Sequence, residues 1–233
     1  MSTASTARER ARAEITREIV DAGRAQLAAE GAAALSLRAV ARDLGMVSSA
    51  VYRYVPNRDA LLTLLIIDAY NSVGAAVEDA ESAVRRTDLT GRFQAVARAV
   101  RAWAIDHPHE YALIYGSPVP GYAAPEDTVG PATRVPLVLI GILVDLATSG
   151  AAPEQRKLPR KVRASVAPLM QAIPDSVSED LMLRGLAAWG TLLGLISLEL
   201  FGHLHNVVDE DITLREAFFD EEMANVAVGL GLE

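Results

Sequence analysis

The 233-residue chain contains no cysteine. That excludes disulfides, thiol redox sensing and cysteine-ligated metals, and it fits a protein kept inside the cell. Lysine is almost missing: Lys157 and Lys161 are the only two, and both lie in a basic run, Arg156 to Arg163, that reads as a solvated loop face. There is no strand-type alternation, no internal repeat and no Gly-rich phosphate loop. No Ser/His/Asp set can be brought together from spacing alone, and no paired carboxylates stand at metal-binding spacing, so nothing points to an enzyme. His203 and His205 are two residues apart, which sends them to different sides of a helix; no metal and no cofactor are expected. The N-terminal stretch MSTASTARERARAE lacks the apolar core of a secretory signal. The uncharged run Gly185 to Leu198 is shorter than the ~18 residues of a membrane helix. These absences together predict a cytoplasmic protein that does not engage a membrane.

What is present is an ordinary globular composition, with 51% hydrophobic and 22% charged residues. The net charge of -8 divides unevenly: residues 1–60 hold nine Arg and seven Asp/Glu, a net of +2, and the remainder carries -10. A mildly basic head on an acidic body turns the head toward a polyanion and keeps the body off it. Arg8, Arg10 and Arg12 lie near the start of the first helix, within reach of such a partner.

The most informative segment is 36–61, SLRAVARDLGMVSSAVYRYVPNRDAL. Leu37, Val40, Ala41 and Leu44 recur at i, i+3, i+4 and i+7 and make one apolar helical face, with Ser36 as its N-cap. Gly45 ends that helix, since glycine takes the left-handed conformation of a tight turn. Ser48 is expected to cap a second helix with Val51 and Val55 inward, Pro56 to stop it, and Asn57 to cap the next. This is the layout of a helix-turn-helix, whose second helix enters the DNA major groove. At about 100° per residue, inward Val51 and Val55 leave Ser49, Ala50 and Arg53 facing out, flanked by Tyr52 and Tyr54. Arg53 suits a bidentate contact to guanine. Tyr52, Tyr54 and Arg58 suit phosphate oxygens, which position a protein without reading sequence. Ser36, Arg38 and Ser48 complete the expected DNA-facing set. The same spacing is also compatible with a plain three-helix bundle that exposes Arg and Tyr.

The stretch resembles the DNA-binding domain of the TetR/AcrR family of bacterial transcriptional regulators. The resemblance rests on Ala41 and Gly45, on Ser48, and on Tyr52-Arg53-Tyr54 followed by Asn57-Arg58-Asp59 and Leu61. Ala50 stands where the family often has glycine and Val55 where it often has phenylalanine; both stay small or apolar.

Further helices are expected at about Arg8–Glu30, Arg58–Ala83, Leu89–Asp106, His109–Tyr115, Thr133–Thr148, Ser178–His205 and Leu214–Leu230, with one short helix in 150–177. Residues 116–131 hold seven Pro or Gly in sixteen and read as a loop. The fold class is all-α, with a helix-turn-helix domain over 1–57 and a helical effector-binding and dimerisation domain over 58–233.

The segment WAIDHPHEYALIYGSPVPGY, from Trp103, is similar to the ligand-binding domain of a TetR subfamily with a Trp-His-Gly signature. WGTLLGLISLELFGHL, from Trp189, resembles the same subfamily's dimer-side helix. The resemblance implies a homodimer that binds double-stranded DNA and, in most such regulators, a repressor released from a palindromic operator by a small ligand. Trp103, His107, Tyr111, Tyr115, Met170 and Trp189 are the candidate contacts for a small hydrophobic effector. Leu186, Leu193, Ile196 and Leu200 are the candidate dimer interface. Glu199, set among Leu and Ile, needs a partner if buried; His203 four residues on is the expected one, a cationic ligand the alternative. Two other readings stand beside this: a DNA-binding regulator without a small effector, and a helical enzyme with a structural head.

Overall fold

A computed structural model describes residues 3–232. Ten α-helices and two short 3-10 turns account for its regular structure, and no strand occurs among the described residues. The helices are α1 Thr3–Glu30, α2 Leu37–Asp43, α3 Ser48–Val51, α4 Arg58–Ser82, α5 Leu89–Asp106, α6 Pro108–Tyr115, α7 Val129–Ser149, α8 Arg160–Met170, α9 Glu179–Leu200 and α10 Ile212–Leu230.

The chain divides into two compact units. The first comprises residues up to Ser72 together with His107–Ala132, and the second Val73–Asp106 together with the residues from Thr133 onward. Helix α4 therefore begins in one unit and continues into the other.

The first unit is built around Ile19, Val40, Val51, Val55, Leu61 and Leu62, all fully buried. Each buried aliphatic side chain stabilises the fold by roughly 1.5–3 kcal/mol relative to exposure. Helices α1 and α4 meet at Gly23, where an added Cβ would stand 3.2 Å from a methyl of Leu61. The Pro/Gly-rich segment after α6 belongs to this unit: Val119 and Tyr122 pack on its core, and the Tyr122 hydroxyl lies 2.9 Å from Thr63 Oγ1. Arg24 joins three helices by pairing with Asp21 of α1 at 2.7 Å, Asp68 of α4, and Glu110 of α6 at 2.8 Å. Gln26, buried and polar, stitches α1 to both ends of α2: it donates to Asp43 Oδ2 and accepts from the Ser36 N–H, each at 3.2 Å.

In the second unit α5, α7, α9 and α10 supply the core, with Phe93, Val96, Val100, Ile142, Leu146, Leu192, Ile196 and Met223 all buried. Arg92, 1% exposed, is neutralised by Glu81 at 2.5 Å and Asp145 at 2.7 Å. Arg101 and Glu199 form a second buried pair, bidentate at 2.8 and 2.7 Å, and the Arg101 guanidinium lies 5.3 Å from the Phe219 ring. Glu199 is thus paired across helices rather than with His203. Helix α9 stops at Leu200 and Gly202 adopts φ +79°, so the i to i+4 register that would align Glu199 with His203 is broken.

Helix α7 starts earlier than expected, at Val129, because Pro131 falls in its first turn, where a missing N–H costs nothing. Three segments, α4, Glu126–Ser149 and α9, are long and apolar enough by composition to cross a membrane. Uncharged-run length overlooks them, since the most apolar stretch of 18 residues in each can still include up to two charges. Several charges along these segments are paired in the fold, Asp68 with Arg24, Arg134 with Glu78, Asp145 with Arg92 and Asp180 with Arg184.

Candidate nucleic-acid interface

The sequence of the α2–α3 segment dictates its shape closely. Leu37, Val40 and Ala41 bury one side of α2. Gly45 then takes φ +63°, and the Met46 N–H donates to the Ala41 carbonyl at 2.8 Å, closing the turn. Val51 and Val55 are fully buried and pin α3 to the core. The Ala60 N–H donates to Asn57 Oδ1 at 2.8 Å, so Asn57 caps α4. Two caps differ from expectation. Ser36 occupies the N-cap position of α2 but its side chain makes no capping bond. At α3 the N-cap position is held by Val47, and Ser48 is already the first helical residue.

The outward side of this segment is polar and open. Arg38, Arg42, Ser48, Ser49, Tyr52 and Arg53 are exposed, Ser36 and Ala50 half-buried. Tyr54 and Arg58 are turned to other uses. Tyr54 packs on the core, and Arg12 covers its ring at 5.2 Å while donating to the Arg53 carbonyl at 3.2 Å. Arg58 donates to the Ala32 carbonyl at 2.8 Å and bridges α4 to the 31–35 segment. Arg10 bonds back to Thr6 of its own helix, and Arg8 is exposed.

The second unit holds an apolar cavity of about 120 Å³. It is lined by Phe93 of α5, Pro136, Leu139, Ile140, Ile142 and Leu143 of α7, Leu169 of α8, Met182, Gly185, Leu186, Ala188 and Trp189 of α9, and Leu230 of α10. No lining side chain is charged. Trp189 is the one residue of the predicted effector set in this lining. Trp103 is buried in the second unit, Met170 is half-buried at the end of α8, and His107 holds the N-cap position of α6. Tyr111 and Tyr115 lie in the first unit with Tyr70: ring centroids are 5.2 Å apart for Tyr111 and Tyr115 and 5.9 Å for Tyr70 and Tyr115. Burial pushes the Tyr115 hydroxyl well above its usual range. The other five of the six do not line this cavity. Sequence reasoning missed Phe93, Leu139, Ile142, Leu143 and Met182; the available signal was that α7 and α9 are apolar on more than one face.

An all-helical chain whose N-terminal helices form a helix-turn-helix on a buried apolar core has the architecture of a DNA-binding protein. Residues 19–65 match the family of bacterial regulatory proteins of the tetR type, and residues 93–226 match the tetracyclin repressor-like C-terminal domain. The chain belongs to the TetR family of transcriptional regulators, DNA-binding proteins rather than enzymes. It is 43% identical over 201 residues to the HTH-type transcriptional regulators Rv1816 of Mycobacterium tuberculosis and Mb1846 of Mycobacterium bovis, with 84% of each chain covered. Among solved structures, it is similar to the regulatory protein SCO4313, with TM-score 0.74 and 34% identity over 94% of this chain and 97% of that one. The fold also matches RolR, solved with resorcinol, at TM-score 0.52 and 15% identity over 96% of this chain and 94% of that one.

Proposed function

We propose that the protein is a homodimeric repressor of the cytoplasm that leaves a palindromic operator when a small, uncharged, mainly hydrophobic effector enters the α5–α7–α9 cavity. The observation that carries this reading is the cavity itself, walled by apolar side chains of five helices with no charged residue in its lining. We read the body as the Trp-His-Gly type, on Trp103, His107 and Gly116. That RolR is solved with resorcinol supports a ligand in a body of this fold.

The volume sets the mechanism. An apolar void of roughly 150 Å³ holds one benzene-sized molecule, so about 120 Å³ takes a single small ring or short aliphatic chain. Anything larger has to spread α7 from α9. Such an effector binds the spread arrangement better than the closed one, and that difference in affinity is what shifts a population. Helix α4, which begins in the DNA-binding unit, is the element through which spreading reaches the recognition helices.

The test is a cavity-filling variant. Ala188→Leu places a larger side chain in the lining while leaving the DNA-facing residues untouched. It is expected to bind operator like the wild type in a gel-shift assay and to resist release by hydrophobic compounds that free the wild type. Release of both proteins at equal concentrations would move the effector elsewhere and favour a regulator without an effector in this cavity.

A further inference from the structure

Val47 is a costly residue where it stands. It is 71% exposed, at the end of the turn between α2 and α3, with φ -69° and ψ 138°. The position before a helix favours Ser, Thr, Asp or Asn, whose side-chain oxygen satisfies a free backbone N–H. Valine offers none, and no side-chain capping bond forms there. Its aliphatic side chain also gains nothing from burial. Among the described residues up to Ser72, only Val47 and Tyr52 are large apolar or aromatic side chains left exposed. Both lie in the same short segment, 47–53, as exposed Ser48, Ser49 and Arg53. Nothing within the fold explains the valine, whereas its neighbours are the groups a helix-turn-helix sends into the major groove.

The major groove presents one apolar feature among its hydrogen-bonding groups, the C5-methyl of thymine. We infer that Val47 packs on a thymine methyl in each operator half-site and is a specificity-determining residue. It adds an apolar reading of one T·A pair to the polar contacts of Arg53. The small neighbours Ser48 and Ser49 let the turn come close enough for van der Waals contact.

The experiment uses the full-length protein and its own operator, located by footprinting. Thymines are replaced one at a time by deoxyuridine, which removes the methyl and keeps every hydrogen-bonding group. For the wild type, replacement at one position per half-site should weaken binding about four-fold, as expected for one methyl group returned to water. For Val47→Ala that loss should vanish while the effects at all other positions stay the same. Circular dichroism and sedimentation of Val47→Ala should match the wild type, since the side chain supports no packing. A clear footprint with a flat deoxyuridine scan overturns the inference and leaves operator binding intact. A methyl effect that persists in Val47→Ala assigns the reading to another residue and also overturns it. Absence of any footprint overturns the operator reading itself, and this inference with it.

Discussion

Arg53 and Arg58 lie five residues apart and serve different ends. Arg53 is exposed and unencumbered by packing, so its guanidinium is available to a base edge. Arg58 spends its guanidinium on the Ala32 carbonyl at 2.8 Å and the Ala33 carbonyl at 3.4 Å, holding the segment before α2 against α4. The two alanine substitutions should therefore separate. Arg53→Ala should weaken specific operator binding by roughly 1–3 kcal/mol and relax preference at one base position, with unfolding unchanged. Arg58→Ala should instead lower stability by about 1–2 kcal/mol, the scale of a charged hydrogen bond at a half-open site. Its slope of log affinity against log salt should stay near that of the wild type, where loss of a phosphate contact would flatten it by about 0.9. Operator titrations at several salt concentrations, together with urea unfolding, check both. Asp180 offers a pH test on the same scale. Burial alone would raise its carboxyl, but hydrogen bonds from Arg156 and Arg184 outweigh that and hold it below the usual range. Its contribution is present above the unfolded aspartate value of about 4 and is lost as pH falls below it. The acid limb of the stability curve should be shallower in Asp180→Asn, by urea unfolding between pH 3 and 6.

At the level of helices, periodicity was informative where one face is buried and the ends are punctuated. Helix α5 runs from Leu89 to Asp106 as its apolar spacing and the following Pro108 imply, and Ser178 caps α9 by accepting from the Leu181 N–H at 3.2 Å. What spacing cannot report is which distant residue meets a given side chain. Glu199 needed a partner, and the near candidate was His203; the one it has is Arg101, 98 positions away on α5. Of the six aromatic and polar effector candidates, chosen for chemistry, Trp189 alone lines the apolar cavity of the second unit, while α7 and α9, which wall most of it, stand out in the sequence by their excess of apolar residues. The Arg101–Glu199 pair makes a sharp prediction. Both side chains are under 10% exposed, so Glu199→Ala strands a buried cation and should cost roughly 3–5 kcal/mol. Arg101→Met with Glu199→Leu replaces both charges by apolar groups and should recover most of that loss. Urea unfolding of the two variants and the wild type decides it.

At the scale of the whole molecule, the glycines of α9 show what each face is for. A Cβ at Gly185 would stand 2.5 Å from a methyl of Leu143, so this glycine lets α7 approach α9 within one chain. Gly190 and Gly194 face open space, with nothing within 4 Å of an added Cβ. They continue an exposed strip with Leu186, Ala187, Thr191, Leu198 and Phe201, at spacings of three and four residues. Helix α10 exposes Leu214, Ala217, Glu221, Asn225 and Val228 on a similar spacing. Of the residues expected at a dimer interface, Ile196 is instead 1% exposed within its own chain. A strip that is apolar, small at its centre and uncovered by the chain's own helices fits a two-fold contact with a second copy, where α9 and α10 of each chain form a four-helix bundle. Gly194→Phe isolates that contact from folding. The first side-chain atom at this position has open space around it, with nothing within 4 Å of an added Cβ, so the single chain should keep its helicity and its midpoint in urea to within about 1 kcal/mol, the interior-helix glycine effect being small and favourable. Two copies, however, could no longer bring their α9 helices together at the glycine. Sedimentation at micromolar concentration should show a dimer for the wild type and a monomer for Gly194→Phe. Operator binding should fall steeply with it, because one recognition helix then reads a single half-site and the energy of the second contact is lost. A Gly194→Phe protein that remains dimeric and binds operator as the wild type does would place the two-fold interface on another surface.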